Sequence, residues 1–422
     1  MSEEKKIPKH WHFKPLGDVL DIQGGSQPAK SNFIYEPKDG YIQLLQIRDF
    51  GEKGHPTFVP KKLVTKFCKK DDILIARYGA SLGRIVTGHE GAYNVALAKV
   101  IDDKGVFEKR FIFYLLKTQI FQTPLAMLSR SAQNGFSKGE IAGIELPIPP
   151  LPEQQAIVAK IEELLSDLKN GKQQLQTAQQ QLKVYRQSLL KWAFEGKLTN
   201  KKVKEGELPK GWTLKKLGDV LDKIEAGKSF KCEERTPNFN EVGVLKVSAV
   251  TWQVFDEIES KTVIGKDKIN KGYFVKKNDF LFSRANTLDL IGAVVIVNSV
   301  ERQLMLSDKT LRFKFNSDIL KPYILYYLRS RKGRREIQRL STGNQESMRN
   351  IGQERIKQIE FPYCSIKEQQ NIVDELESKL TVCDKTEETI NHSLQQAETL
   401  RQSILKKAFE GKLINCELKI TN

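Results

Sequence analysis

The sequence predicts an α+β protein built from two copies of one globular unit, each followed by a long helix. Three observations carry that prediction. The hexapeptide LGDVLD stands at Leu16–Asp21 and again at Leu217–Asp222, an offset of 201 residues. AFEGKL stands at Ala193–Leu198 and again at Ala408–Leu413, an offset of 215 residues. Between these markers, each half runs from short β-like segments into a stretch with a seven-residue apolar repeat. Solenoid repeats are about 20–50 residues long, so a period near 200 describes a unit with its own core. The boundaries that follow are a first globular part at 1–152, a helix at 153–200, a second globular part at 201–366 and a second helix at 367–422.

Composition narrows the partner. Hydrophobic residues make up 39% of the 422, enough for real cores, and at about 150 residues per domain the length suggests two or three domains. Lys and Arg number 69 against 52 Asp and Glu, a net charge of +17 that favours a polyanion. No run of about 18 apolar residues suggests a membrane helix. Met1–Lys6 leads into Pro8 and Trp11 without an apolar signal core. A cytoplasmic protein is expected, with nucleic acid as the polyanion. Cys68, Cys232, Cys364, Cys383 and Cys416 lie far apart with no CxxC pair, which reads as reduced thiols and neither a disulfide framework nor a zinc site.

The elements of the two halves follow one order. Pro8–Trp11 and Pro209–Trp212 open them, each leading into LGDVLD. Tyr41–Ile47 and Val242–Val250 read as strands. DILIAR from Asp72 and DFLFSR from Asp279 place an Asp before an apolar strand that ends at Arg77 or Arg284. A second apolar strand follows Gly83 and Gly292, then come the aromatic helical patches Phe111–Lys117 and Tyr323–Arg329. Polar loops begin at Ser129 and Ser341, and IELPIP from Ile144 and IEFPYC from Ile359 close the globular parts.

The tails read as helices. Glu153 to Phe194 holds no proline and one glycine, Gly171. Ile161, Leu168, Leu175, Leu182 and Leu189 recur every seven residues, with a companion series Ile157, Leu164, Gly171, Ala178, Tyr185 and Trp192. Adding the constant offset of 215 gives Leu376, Cys383, Ile390, Ala397 and Ile404, all apolar. The second companion series, Ile372, Lys379, Thr386, Ser393, Leu400 and Lys407, is more polar. Two matched heptad helices in one chain are expected to pair with each other as a rod of about 60 Å; the competing arrangement packs each helix on its own globular part. Antiparallel pairing would relate the two globular parts by an approximate two-fold axis, so that two DNA sites at a fixed separation could be touched.

Taken in order and twice over, these residues resemble the specificity (S) subunit of type I restriction-modification systems. The resemblance covers essentially the whole chain: the Pro-x-x-Trp and LGDVLD openings, the Asp-to-Arg strands, the proline-rich exit ELPIPPLPEQQ at Glu145–Gln155, and the heptad helices ending in AFEGKL. It implies two target recognition domains joined by two helices that form an antiparallel coiled coil. It further implies that each domain reads half of a split double-stranded DNA target, while the helices set the spacer and dock two adenine-specific methyltransferase (M) subunits. Restriction (R) subunits would join through them. The second half departs from the pattern where SIKEQQ, Ser365–Gln370, replaces the proline-rich exit.

Catalytic signatures are missing, so no cofactor or chemistry of its own is expected. Ile148 precedes Pro149-Pro150 and Phe361 precedes Pro362-Tyr363, so neither forms the D/N-P-P-Y/F/W motif of an adenine methyltransferase. Gly227-Lys228-Ser229 ends like a P-loop, but Asp222 occupies its first glycine position. The histidines His10, His12, His55, His89 and His392 show no metal-binding spacing. A free-standing DNA-binding protein built on the same rod is the competing functional class.

DNA recognition needs Arg or Lys for phosphates and guanine edges, and Asn or Gln for adenine edges. The candidates are Arg77, Tyr78 and Ser81 in the first half and Arg284, Asn286 and Thr287 in the second. Each Arg has a plainer alternative, a salt bridge to its preceding Asp. A second pair of loops offers Arg130, Gln133, Asn134 and Lys138, and Asn344, Gln345, Ser347 and Arg349. The run Arg329-Ser-Arg-Lys-Gly-Arg-Arg335, with Arg331, Lys332, Arg334 and Arg335, suits phosphates better than bases.

Overall fold

The computed structural model describes residues 8–51, 54–131, 135–200, 202–204, 206–251, 254–265, 269–345 and 348–414. It divides into one unit of residues 1–175 with 392–422, and a second of residues 176–391.

The first unit opens with His12–Pro15 paired antiparallel to Glu145–Ile148, so the entry and exit of the globular part are tied together. A four-stranded antiparallel sheet follows in the order Asp21–Gly24, Leu97–Ile101, Ile73–Ala76, Ile85–Val86. One of its two inner strands, Ile73–Ala76, is buried at every residue, as a strand covered on both faces must be. A second sheet runs Phe58–Pro60, Tyr41–Leu45, Gly91–Tyr93, Phe67–Cys68, with a parallel pair in its middle. Gly83 turns the chain between Ile73–Ala76 and Ile85–Val86 at φ +78°, a conformation that suits glycine.

The second unit repeats this frame. Thr213–Lys216 pairs with Glu360–Tyr363, and the main sheet runs Leu221–Ala226, Thr310–Phe315, Phe280–Ser283, Val294–Ile296. Gly292 makes the equivalent turn at φ +73°. In its second sheet, Ser260–Val263, Val242–Leu245 and Gln303–Met305 match the first unit, but the fourth strand, Cys232–Glu233, joins the opposite edge. A three-stranded sheet of Ala285–Asn286, Met348–Asn350 and Thr342–Gln345 occurs only here among the described residues.

Two helices of 44 residues, Leu151–Phe194 and Ile366–Phe409, each contribute to both units. Their first turns are anchored by a repeated glutamine that is fully buried. Gln154 accepts the Glu108 N–H at 2.8 Å and donates to the Val106 and Pro149 carbonyls. Gln369 accepts the Leu320 N–H at 2.9 Å and donates to the Asp318 and Cys364 carbonyls. All three functions of each side chain are thereby satisfied inside the core, which burial of an amide demands. At the other helix end, Phe194 lies edge-on to Tyr323 and Tyr327 and Phe409 packs on Phe111. The repeated AFEGKL is therefore the point where each helix is fastened to a globular core.

The helices run antiparallel in both units. In the second unit, Gln179 donates to Asn391 at 3.0 Å, and Arg186 pairs with Asp384 at 2.6 Å and Glu387 at 2.9 Å. In the first, Lys172 lies 3.8 Å from Glu398. Residue numbers rise along one helix as they fall along the other. Of the heptad positions, Ile161, Leu189, Leu376, Cys383, Ile390 and Ile404 are buried, and Leu168, Leu175, Leu182 and Ala397 are half-buried. The companion series keeps to the seam at Ile157, Leu164, Gly171, Ala178 and Ile372 but not throughout. Tyr185, Trp192, Thr386 and Lys407 face solvent, and the residues one step on, Arg186, Ala193, Glu387 and Ala408, turn inward. A straight helix of 3.6 residues per turn drifts against a strict repeat of seven, and at these positions the companion series shifts by one residue.

Candidate nucleic-acid interface

The two sheets present equivalent edges. In the first unit, the Arg77 N–H donates to the Ala96 carbonyl at 2.8 Å; in the second, the Arg284 N–H donates to the Lys309 carbonyl at 2.9 Å. Neither guanidinium is held by its preceding Asp. Asp72 is occupied by Lys99 at 2.7 Å and Lys109 at 3.2 Å, and Asp279 by Arg312 at 3.0 Å and Lys314 at 3.4 Å. Lys99 and Arg312 sit at the same register on the neighbouring strand, opposite Leu74 and Leu281. Burial raises the Asp72 carboxyl, but Lys99, the Lys69 N–H and Lys109 outweigh it and hold the group below the usual carboxylate range. The Asp therefore fixes the strand from below, and the Arg at the far end of that strand serves another purpose.

Arg77 reaches across to the second candidate loop, where its Nη2 donates to the Phe136 carbonyl at 3.3 Å. Its guanidinium lies 5.1 Å from the ring centre of Tyr78, which is exposed on the adjoining turn that carries half-buried Ser81. Gly135 fits beneath them at φ +93°; a Cβ there would stand 2.1 Å from the Arg77 carbonyl oxygen. Lys138 opens a short helix capped by Ser137 and is paired with Asp21, whose carboxyl it holds low. The side chain of Arg130, and Gln133 and Asn134 altogether, lie outside the described residues.

In the second unit, the Ile351 N–H donates to the Arg284 carbonyl at 2.9 Å, and the Arg284 side chain donates to Asn350 at 3.4 Å. Asn286 pairs across the small sheet with Arg349. Its carboxamide oxygen accepts the N–H of Thr287, an exposed residue. Gln345 lies opposite Met348, which is 72% exposed. Arg349 is committed to its own hairpin, donating to the Ser341 carbonyl at 2.9 Å and the Gly343 carbonyl at 2.7 Å. The Asn344 side chain and Ser347 lie outside the described residues. An open cavity of about 460 Å³ is lined by Arg284, Thr342, Asn350, Gly352, Gln353, Glu354 and Arg355. In both units, then, the structure brings the two candidate loops together at one end of the main sheet.

The basic run divides by role. Arg331, Lys332 and Arg335 are exposed on the helix Arg331–Leu340. Arg334 turns inward and donates to the carbonyls of Leu288 at 3.1 Å, Asp289 at 3.0 Å and Ile291. Burial pushes its guanidinium down to about 10. Arg329 likewise donates to the Val294 carbonyl at 3.0 Å. Arg334 thus holds the loop after Arg284 in place, and Arg329 the start of the strand that follows it.

Two further segments reach this edge that sequence patterns did not single out. Gly24 leaves room for Arg77, whose Nη1 would lie 2.7 Å from a Cβ there. In the second unit, Ser229 donates to Asp308 at 3.2 Å, one residue from the carbonyl that receives the Arg284 N–H. The corner residues Asn94–Ala96 and Ser307–Lys309 carry no motif; only strand register places them beside the arginines. Among the described residues, no group of three or more His, Cys, Asp or Glu could hold a metal ion, and no helix is long and apolar enough to cross a membrane.

A family model for the type I restriction modification DNA specificity domain matches twice, at residues 8–177 and 209–396. The chain is 28% identical to the EcoKI specificity subunit of Escherichia coli K12 across 97% of its own length and 90% of that protein. It is 27% identical to the MjaVIII specificity subunit of Methanocaldococcus jannaschii across 97% and 94%. Among solved structures, one from work on complex assembly and conformational transition of the type I R-M system aligns with a TM-score of 0.72 at 19% identity, covering 96% of this chain and 99% of that one. The HsdS subunit of Thermoanaerobacter tengcongensis aligns with a TM-score of 0.63 at 18% identity, covering 96% and 98%.

Proposed function

Since the chain belongs to the type I restriction-modification DNA specificity family, we propose that it reads a bipartite DNA target without catalysing any reaction itself. Each unit recognises one half-target, and the paired helices hold the spacer between the halves at a fixed number of base pairs. Two adenine-specific methyltransferase subunits dock on the chain, and restriction subunits join through them in the cytoplasm. One observation carries this reading. Arg77 and Arg284 are held by the same main-chain bond in two equivalent sheets, while the residues around them differ. Equal frames with unequal surfaces suit two different half-targets, and a net charge of +17 suits the phosphate backbone.

On this reading Arg77, Tyr78, Ser81 and Lys138 face the first half-target, with Arg130, Gln133 and Asn134 contributed by the loop between them. Arg284, Asn286, Thr287, Asn344 and Gln345 face the second. Arg331, Lys332 and Arg335 meet phosphates, whereas Arg334 and Arg349 shape the surface from within. The test is reconstitution with an adenine methyltransferase and selection of methylated targets from a randomised library. Arg77→Ala should relax one half of the selected target and Arg284→Ala the other, each by about 1–3 kcal/mol of discrimination at the affected base pair. Equal weakening of both halves by either change would overturn the assignment. Tight split-target binding that ignores the methyltransferase would mark a free-standing DNA-binding protein.

A further inference from the structure

The corner that receives the arginine N–H differs sharply between the two units. Its equivalence rests on main-chain geometry. Ala76 pairs with Leu97 and Ser283 with Thr310, so Leu97 and Thr310 match. Leu97 donates to the Asn94 carbonyl at 3.0 Å and Thr310 to the Ser307 carbonyl at 3.4 Å, closing the same turn. Between these residues the corner reads Val95-Ala96 in the first unit and Asp308-Lys309 in the second. Val95 is 43% exposed, and Asp308 is exposed as well.

Each residue restricts what it can meet in a major groove. Val95 has no hydrogen-bonding group, and the apolar feature of the groove is the thymine 5-methyl. The carboxylate of Asp308 only accepts hydrogen bonds, and the cytosine amino group is the donor that such a carboxylate meets. A carboxylate facing DNA is repelled by phosphates, so it belongs on such a surface where a base donor compensates. The Ser229 hydroxyl holds one carboxylate oxygen and so limits the rotation of the group.

We propose that Val95 reads a thymine methyl in the first half-target and Asp308 a cytosine amino group in the second, through one corner closed by the same turn in both units. This rests on the split-target reading above. The experiment uses the full chain with its methyltransferase and the target that this complex selects from a random library. Replacing one thymine of the first half by deoxyuridine should weaken binding about fourfold, the worth of a buried methyl, and Val95→Ser should abolish that sensitivity. Asp308→Asn should lower discrimination at one cytosine of the second half about tenfold and leave the first half unchanged. A first half with no deoxyuridine-sensitive thymine, or one whose sensitivity survives Val95→Ser, overturns the assignment of Val95. Undiminished cytosine discrimination in Asp308→Asn overturns that of Asp308. If the complex selects no split target at all, the underlying functional reading fails instead.

Discussion

Single residues in this protein acquire meaning from their hydrogen-bond partners more than from their type. Five cations crowd into Arg329–Arg335, yet Arg334 spends its donors on the Leu288, Asp289 and Ile291 carbonyls while Arg331, Lys332 and Arg335 stay exposed. Removing those three exposed charges together should reduce the slope of log affinity against log salt by roughly 0.9 for each phosphate that is no longer neutralised. Arg334→Met should leave the slope alone and lower unfolding stability by about 1–3 kcal/mol, the cost of stranding partly buried carbonyls; titration at several salt concentrations and denaturant melts separate the two. Lys117 gives a pH signature. Burial, together with Arg401, Arg110 and Arg84, pushes its amine down to about 8 from an ordinary 10.5. The unfolded chain then binds the extra proton between those values, so this residue makes stability rise as pH climbs from about 8 to 10.5. Lys117→Met should be more stable than the parent at pH 7 and should flatten that rise in melts run across pH 7 to 10. None of this was legible in the sequence, because a cluster of like charges looks identical whether its members point inward or outward.

At the scale of elements, periodicity told more. The apolar series Ile161 to Leu189 and its copy at Leu376 to Ile404 follow the long helices Leu151–Phe194 and Ile366–Phe409. The one-residue shift that exposes Tyr185 and Trp192 escaped the pattern, since a strict seven ignores the drift of a 3.6-residue turn. The repeated Glu-Gln-Gln was visible as a motif, whereas the burial of its middle residue, Gln154 or Gln369, required the strand ends and carbonyls that it ties together. The Asp-to-Arg strand was visible too, but Lys99 and Arg312 reach the Asp across a sheet whose register no local pattern encodes. Inserting four residues near Gln176 adds one turn, about 6 Å of helix. The expected outcome in a library selection is a wider spacer between unchanged half-targets; altered half-target letters would count against a spacing role for the helices.

Across the whole molecule, duplication explains why fold class could be read from sequence while base preference could not. One hexapeptide kept unchanged at each end of both halves marks a position where geometry is fixed, and the loops between them have diverged freely. Gly196 lies against Pro209 and Gly411 against Pro8, so close that a Cβ would stand 2.1 Å and 2.3 Å from the proline ring. The end of each helix thus touches an opening segment in the same way, although one of these pairings spans nine tenths of the chain. A permuted chain joined through residues 415–422 and 1–7 and opened at Lys202–Lys204 should therefore fold and bind the same target, as thermal melts and target selection would check. The buried glutamines and the fastened Ala-Phe pairs act as matching sockets at either end of each globular segment. On the proposed split-target reading, a lineage can therefore exchange one segment between those sockets and acquire half of a new vocabulary at a single stroke, with the helices inherited intact.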